Sequence, residues 1–459
     1  LVGRDLVKEP VVMGHEVALT VVKAGASVAE KFHAGERFIV QADVYYKGKN
    51  LAYGYALSGG MAQYGIVGPE VLEGDEGCYL LPIEDETGYA EAALVEPWAC
   101  VEAAYHWTQG DNTGRVQTKL IVVSNIGEIV ADAEANDKKY SLDGKIWHGR
   151  GTVPRNDNDE PYEVIVFLGK PSRTVFERAC EKLGKGSRVR LRNGPAGEVS
   201  VDVGRIHYDG WLFTGPEENN RNDLEPGGIA WFIGAAGPMG QMHVQRALQL
   251  PKPPAKIVCT DRNDNRLAAL ESRLGGLAKE RGVEMVYLNI RDTAPDHAAL
   301  APDGYDDIVV MVPSIEAIED GFPRLARNGV MNVFAGVARG TMATLDMSDI
   351  ALKNVRIVGT SGSSIEDMRR TRDLMEADKL DTGGSLAAIG GLEAFRDGLD
   401  AVKGGRFPGK TVIFPQIENL PLTAIPDLES VRPNVYAKLK DGQFWTQEAE
   451  AELLREAAK

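Results

Sequence analysis

The chain has 459 residues, enough for two or three domains, because one hydrophobic core stops growing near ~250–300 residues. It is 43% hydrophobic and 26% charged, which excludes wholesale disorder. The net charge of −16 repels phosphate backbones, so nucleic acid is excluded as the expected partner and a soluble cytoplasmic protein is expected.

Leu1 is followed almost at once by VVMGHEV, which reads as the middle of a domain; a segment upstream of Leu1 is expected. Residues 11–25 and 36–46 (ERFIVQADVYY) read as β-rich stretches between glycines. LSGGMAQYGIV (57–67) reads as a further strand after a Gly-Gly turn. Residues 89–107 have helical spacing, with Pro97 expected to interrupt it. Residues 109–114, 155–161 and 216–223 are polar loops. Between them YEVIVFLG reads as a buried strand and SRTVFERACEKLG as an amphipathic helix.

From residue 226 to about 380 strand and helix alternate. IAWFIG, KIVCTD, DDIVVMV, VMNVFAG and VRIVGT are apolar without alternation, as parallel strands covered on both faces are. Residues 385–417 read as a helix, a turn and a strand, and 418–459 as a tail ending in a helix. Cys78, Cys100, Cys180 and Cys259 are scattered, with no CxxC pair, so neither a disulfide framework nor a four-cysteine zinc lobe is expected. No apolar run reaches membrane-spanning length and no signal peptide is visible.

The chain contains an internal repeat. Residues 162–194 lie over a segment ending at Gly336, with Pro171-Ser172 on Pro313-Ser314, an offset of 142. VDVGRIHYDGWLFTG (201–215) then lies over LDMSDIALKNVRIVG (345–359) at an offset of 144, matching Asp202 with Asp346, Ile206 with Ile350 and Gly215 with Gly359. Residues 111–225 therefore read as a second, degenerate Rossmann-like unit. Its opening strand, KLIVVSNIGEIV, lacks a glycine fingerprint, so a packing or assembly role is expected there instead of a dinucleotide.

The dinucleotide signal lies in GGIAWFIGAAGPMGQMHVQRAL (227–248), where a strand runs into a glycine-rich turn and then a helix. Gly237 permits close approach of backbone to a pyrophosphate and Gly240 permits close helix–strand packing. The helix N-terminus near Pro238 and Met239 offers free N–H groups to phosphates. A second strand ends at Asp261, where a carboxylate meets the adenosine ribose hydroxyls, which favours NAD. The adjacent Arg262 leaves NADP as the alternative. The first glycine of GxGxxG falls on Ala235, with Gly234 one place earlier, so the turn is expected to be shifted by a residue.

A metal site is suggested by His15 and Glu16 in GHEV and by Glu96 in LVEP, since one imidazole and two carboxylates suit Zn²⁺. The series GHEV, GERFIV, GGMAQY, VEPWACVEAAY and GAAGPMG resembles the zinc-containing medium-chain dehydrogenase/reductase superfamily, nearest its polyol and sugar branch (sorbitol dehydrogenase-like and sorbose-1-phosphate reductase-like enzymes). That resemblance covers residues 11–110 and 226–417. It implies an α/β protein with a GroES-like β-rich catalytic domain over 1–110, completed by 385–417, and an NAD-binding Rossmann doubly wound parallel sheet over 226–384. The degenerate insertion at 111–225 divides them, and 418–459 is a C-terminal tail. It implies His15 and Glu16 as zinc ligands and Glu96 as a direct or water-mediated one. It also implies hydride transfer between a secondary alcohol and NAD in an interdomain cleft, in a homo-oligomer, dimer or tetramer. The chain departs from the family's pattern in having neither the cysteine ligand upstream of GHE nor the four-cysteine lobe. Two alternatives follow: a zinc-free NAD(P)H reductase of the same superfamily, and a non-catalytic NAD-binding assembly subunit.

Overall fold

The computed structural model describes residues 8–106, 118–123, 145–156, 160–195, 197–217, 219 and 221–458. The loop expected at 109–114 and the end of the 119–130 stretch lie outside them. The chain forms two compact units, one of Leu1–Ala103, Gly237–Arg246 and Gly362–Lys459, the other of Ala104–Ala236 and Ala247–Ser361.

The first unit opens with β1 (Ala18–Thr20), β2 (Arg37–Val40) and β3 (Leu80–Pro82), an antiparallel sheet in that order. Ile39, Val40, Val44, Tyr79 and Leu81, in and beside it, are buried in one apolar cluster. The stretch 57–67 is not the strand that its composition suggests. Gly59, Gly60 and Met61 donate N–H bonds to the carbonyls of Val12, Gly14 and Met13, and then Ala62 turns back onto Gly60. Pairing lasts only as long as that short partner, and glycines supply no side chains to pack on a sheet. Tyr64 and Ile66 beyond it are exposed.

Two helices follow, α1 (Tyr89–Ala93) and α2 (Val95–Ala103). The interruption falls at Leu94 rather than at Pro97. Pro97 sits in the first turn of α2, where its missing N–H has no helical partner to lose.

The second unit begins with β4 (Lys119–Val123), β5 (Lys145–Trp147), β6 (Tyr162–Leu168), α3 (Arg173–Cys180), β7 (Leu183–Leu191), β8 (Val199–Asp202), α4 (Val203–Asp209) and β9 (Leu212–Thr214). It continues with β10 (Ile229–Ile233), which leads into α5 (Pro238–Gln249), then β11 (Lys256–Asp261), α6 (Asp264–Arg281), β12 (Glu284–Asn289) and β13 (Tyr305–Val310). It closes with α7 (Ile315–Gly321), β14 (Leu325–Val333), β15 (Met342–Leu345), α8 (Ser348–Leu352) and β16 (Arg356–Val358).

Eleven of these strands form one sheet, ordered β12-β11-β10-β13-β14-β16-β9-β7-β6-β4-β5. Every neighbouring pair is parallel except β16 and β9, which meet antiparallel. The sheet is therefore two parallel half-sheets joined at one seam. Runs such as Ala230–Ile233 and Ile257–Thr260 are buried, as strands covered on both faces must be. The strands β9, β7, β6, β4 and β5, which make one half-sheet, lie within residues 111–225.

The sequence repeat is also a repeat of register. Leu212, Phe213 and Thr214 pair with Arg188, Val189 and Arg190. Their counterparts at the offset of 144 are Arg356, Ile357 and Val358, and these pair with Val330, Met331 and Asn332, the counterparts at the offset of 142. The matched helices α3 and α7 are capped alike. Ser172 and Ser314 each accept an N–H bond three residues on, from Val175 and Ala317.

The first unit resumes with α9 (Ile365–Glu376), β17 (Leu386–Gly391), α10 (Phe395–Gly404), β18 (Lys410–Phe414), β19 (Thr423–Ala424) and α11 (Gln447–Ala457). LAAIGG, expected to start a helix, is the strand β17, with all six residues buried between β18 and β19. Gly390 and Gly391 disfavour helix, and the helix waits until Phe395. Gly237 and residues 238–246 of α5 belong to this unit. There Arg246 Nε donates to Glu102 Oε1 at 2.8 Å, and both side chains are nearly inaccessible.

Candidate active site

Three side chains of the first unit converge. His15 and Glu16 stand just before β1, and Glu96 is the second residue of α2. One ligand atom from each lies within 4.8 Å of the others, the grouping found among the described residues. The two glutamates are distant in sequence, and the start of α2 brings the second to the first.

Glu96 is 7% exposed. Burial, and then the nearby Glu16 carboxylate, push its carboxyl up to about 8. Cys100, one turn along α2, approaches Glu96 Oε1 at 3.8 Å. Burial and the charge of Glu96 hold that thiol well above its usual range.

Glu16 goes the other way. Burial pushes its carboxyl up, but Lys410 pulls harder, through its charge and a hydrogen bond of 2.7 Å to Glu16 Oε1, and the carboxyl ends below its usual value. Burial lowers the Lys410 ammonium, while Glu16 and Glu96 raise it further, so it stays charged. Burial keeps the His15 imidazole below its usual value, hence neutral at pH 7. The Tyr55 ring lies 5.2 Å from that of His15.

This donor set fits a divalent cation. A neutral imidazole is ready to coordinate, and two facing carboxylates share a single ammonium. The strained protonation of Glu96 is what a second positive charge would relieve. Lys410 bonds one oxygen of Glu16, and a carboxylate has a second.

Sequence reasoning named His15, Glu16 and Glu96 and missed Lys410. Lys410 lies 394 residues beyond Glu16 in GKTVIF, at the start of β18. Nothing in its neighbourhood marks it apart from the other lysines.

The glycine-rich turn is found where β10 ends. Gly234 has φ +84°, and its N–H donates to Thr260 at 2.8 Å. A Cβ there would lie 2.5 Å from Val312 Cγ1, and a side chain would strain the backbone. The left-handed position is thus Gly234, which accounts for the alanine at 235: that residue is wholly buried and its N–H also bonds Thr260. Gly237 precedes α5, and Pro238, Met239 and Gly240 form its first turn. Asp261 ends β11, where its Oδ1 accepts from the N–H groups of Arg262 and Asn263. Arg262 itself is exposed.

Residues 238–377 match the family model described as zinc-binding dehydrogenase. The chain is 26% identical over 471 residues to mannitol-1-phosphate 5-dehydrogenase of Aliivibrio fischeri, covering 99% of this chain and 85% of that protein. It is 24% identical over 464 residues to L-sorbose 1-phosphate reductase of Klebsiella pneumoniae, covering 99% and 84%. Among solved structures, L-idonate 5-dehydrogenase of Escherichia coli aligns with a TM-score of 0.49 at 14% identity, over 88% of this chain and 82% of that one. No described helix is long and apolar enough to cross a membrane.

Proposed function

Because the chain belongs to the zinc-containing medium-chain dehydrogenase/reductase superfamily, we propose that it transfers hydride between NAD and a secondary alcohol of a polyol, sugar or sugar derivative, with zinc held by His15, Glu16 and Glu96. The observation that carries this reading is the convergence of those three donors within 4.8 Å. When bound, zinc supplies a Lewis acid that lowers the pKa of the substrate hydroxyl, and the nicotinamide supplies the hydride acceptor.

The remaining roles belong to the chain. Lys410 fixes the rotamer of Glu16 by its 2.7 Å bond and so orients the second carboxylate oxygen. Glu96 stands beside Glu16 and His15, where it relays the proton that leaves the hydroxyl. Met239 and Gly240 in the first turn of α5 present backbone N–H groups to a pyrophosphate. Asp261 accepts from the ribose hydroxyls and opposes a 2′-phosphate, which favours NAD over NADP. The names of two relatives, one acting on mannitol 1-phosphate and one on L-sorbose 1-phosphate, support a phosphorylated polyol or ketose as the substrate class.

Metal analysis together with an assay tests this. We expect about one zinc per chain and NAD reduction with one of a panel of polyols and polyol phosphates. His15→Ala is expected to lose the metal and about 10³-fold in kcat/KM, the equivalent of several kcal/mol of charge stabilisation. Zinc below about one tenth per chain in fully active protein sinks the reading. The Lys410–Glu16 pair favours a second one in that event, a zinc-free reductase in which the ammonium is the site's only resident cation.

A further inference from the structure

The two half-sheets meet around a pseudo-two-fold axis that the repeat itself identifies. At the seam of the large sheet, Phe213 pairs with Ile357, its own counterpart at the offset of 144. A second antiparallel pair, β8 with β15, is centred in the same way. Ser200 faces Thr344, its counterpart at the same offset, while Val199 faces Leu345 and Val201 faces Ala343. Exchanging each of these residues for its counterpart returns the same pairs, which defines an isologous contact.

The flanking contacts are reciprocal too. Ser200 N–H donates to Glu177 Oε1 at 2.8 Å, and Thr344 N–H donates to Glu319 Oε1 at 2.7 Å. Glu177 and Glu319 are themselves counterparts, at the offset of 142. A Cβ added at Gly215 would press into the carbonyl oxygen of Ile350, and one added at Gly359 would lie 2.7 Å from that of Ile206. Gly215 matches Gly359 and Ile206 matches Ile350. Both close approaches require glycine, and at Gly215 the added Cβ would also meet Asn354.

We propose that the described part of residues 162–215 is a built-in second copy: it occupies, within one chain, the place a two-fold-related copy of residues 304–359 would take. The edge of β16 is used internally, and the chain does not associate with another through it. The opening strand of the covering half runs into a sequence without the glycine fingerprint, and among the described residues the dinucleotide turn is the one at Gly234. Any homo-oligomer forms through other surfaces.

Engineered cysteines test this in the full chain. Both central N–H groups point away from the ladder to glutamates, so Ser200 and Thr344 form a narrow pair, with Cα atoms about 4.5 Å apart, within disulfide reach. Ser200→Cys with Thr344→Cys is expected, on mild oxidation, to lose two thiols beyond the unmodified chain's loss while keeping single-chain mass. The yield should not change over a hundredfold range of protein concentration. The off-register pair Ser200→Cys with Ala343→Cys should not cross-link. Mixing a Ser200→Cys chain with a Thr344→Cys chain should give no covalent heterodimer. A two-chain product that grows with concentration, a heterodimer in the mixture, or no on-register disulfide overturns the proposal.

Discussion

The two halves of the large sheet differ where they would meet a cofactor and agree where they meet each other. Both pair the seam strand with its parallel neighbour in one register, cap the matching helix with serine, and hand a central backbone N–H to a glutamate. The half from β10 to β16 adds a left-handed glycine at the end of its first strand and an aspartate at the end of its second. In the other half the opening strand runs into SNIGEIV, with no such fingerprint. Packing constraints are shared by symmetry, whereas binding constraints fall on each half alone. A duplicated unit can therefore lose its ligand chemistry and keep its seam.

Matched lesions sharpen this contrast. The largest loss of stability is expected from Gly215→Ala and Gly359→Ala. Each added methyl meets a carbonyl across the seam and should cost about 1–3 kcal/mol in urea unfolding. Gly215→Ala should cost the more, because its methyl also meets Asn354, and a neutral effect at either position breaks the symmetry.

Asp261→Ala should act on one half only. Losing a charged acceptor is worth about 1.5–3 kcal/mol, so NADH affinity should fall by about 10- to 100-fold with unfolding little changed. Unaltered affinity in a binding titration would remove the ribose role. Glu177→Ala and Glu319→Ala should each cost about 1 kcal/mol and resemble each other more than either resembles a surface variant.

The smallest effect tests an asymmetry. His207 lies in the seam, and its counterpart at the same offset is Ala351. Burial holds the imidazole below its ordinary value, against a bond to the Val333 carbonyl. The folded state therefore resists protonation while the unfolded chain accepts it near 6.5. Stability should fall as pH drops through that value, until the folded state also takes the proton. His207→Gln should flatten this acid limb in pH-dependent unfolding, and an unchanged slope would assign it to other groups.

Much of this was legible because repetition survives in a one-dimensional string. The offsets of 142 and 144 predicted which strands correspond, and the same offsets recur in the pairing. The order GHEV, then VEPW, then GAAGPMG carried the family. Long-range electrostatics left no such trace. Lys410 reaches Glu16 across 394 residues, and no periodicity or composition marks a partner at that distance. Short apolar runs misled in both directions. LAAIGG has the composition of either element, and only burial on both sides makes it a strand. LSGGMAQYGIV has strand-like residues but glycines where a sheet needs side chains. Pro97 is a breaker only inside a helix, and the sequence does not reveal that it stands in a first turn.

The helix α2 carries Glu96 near its start and, six residues on, Glu102, whose carboxylate grips Arg246. That arginine lies on the helix that leaves the glycine-rich turn. One nine-residue rod thus joins the proposed metal ligand to the element that starts at the phosphate turn. Thermodynamic linkage makes such a connection two-way: whatever loading the metal does for dinucleotide affinity, the dinucleotide does for metal retention, by the same factor.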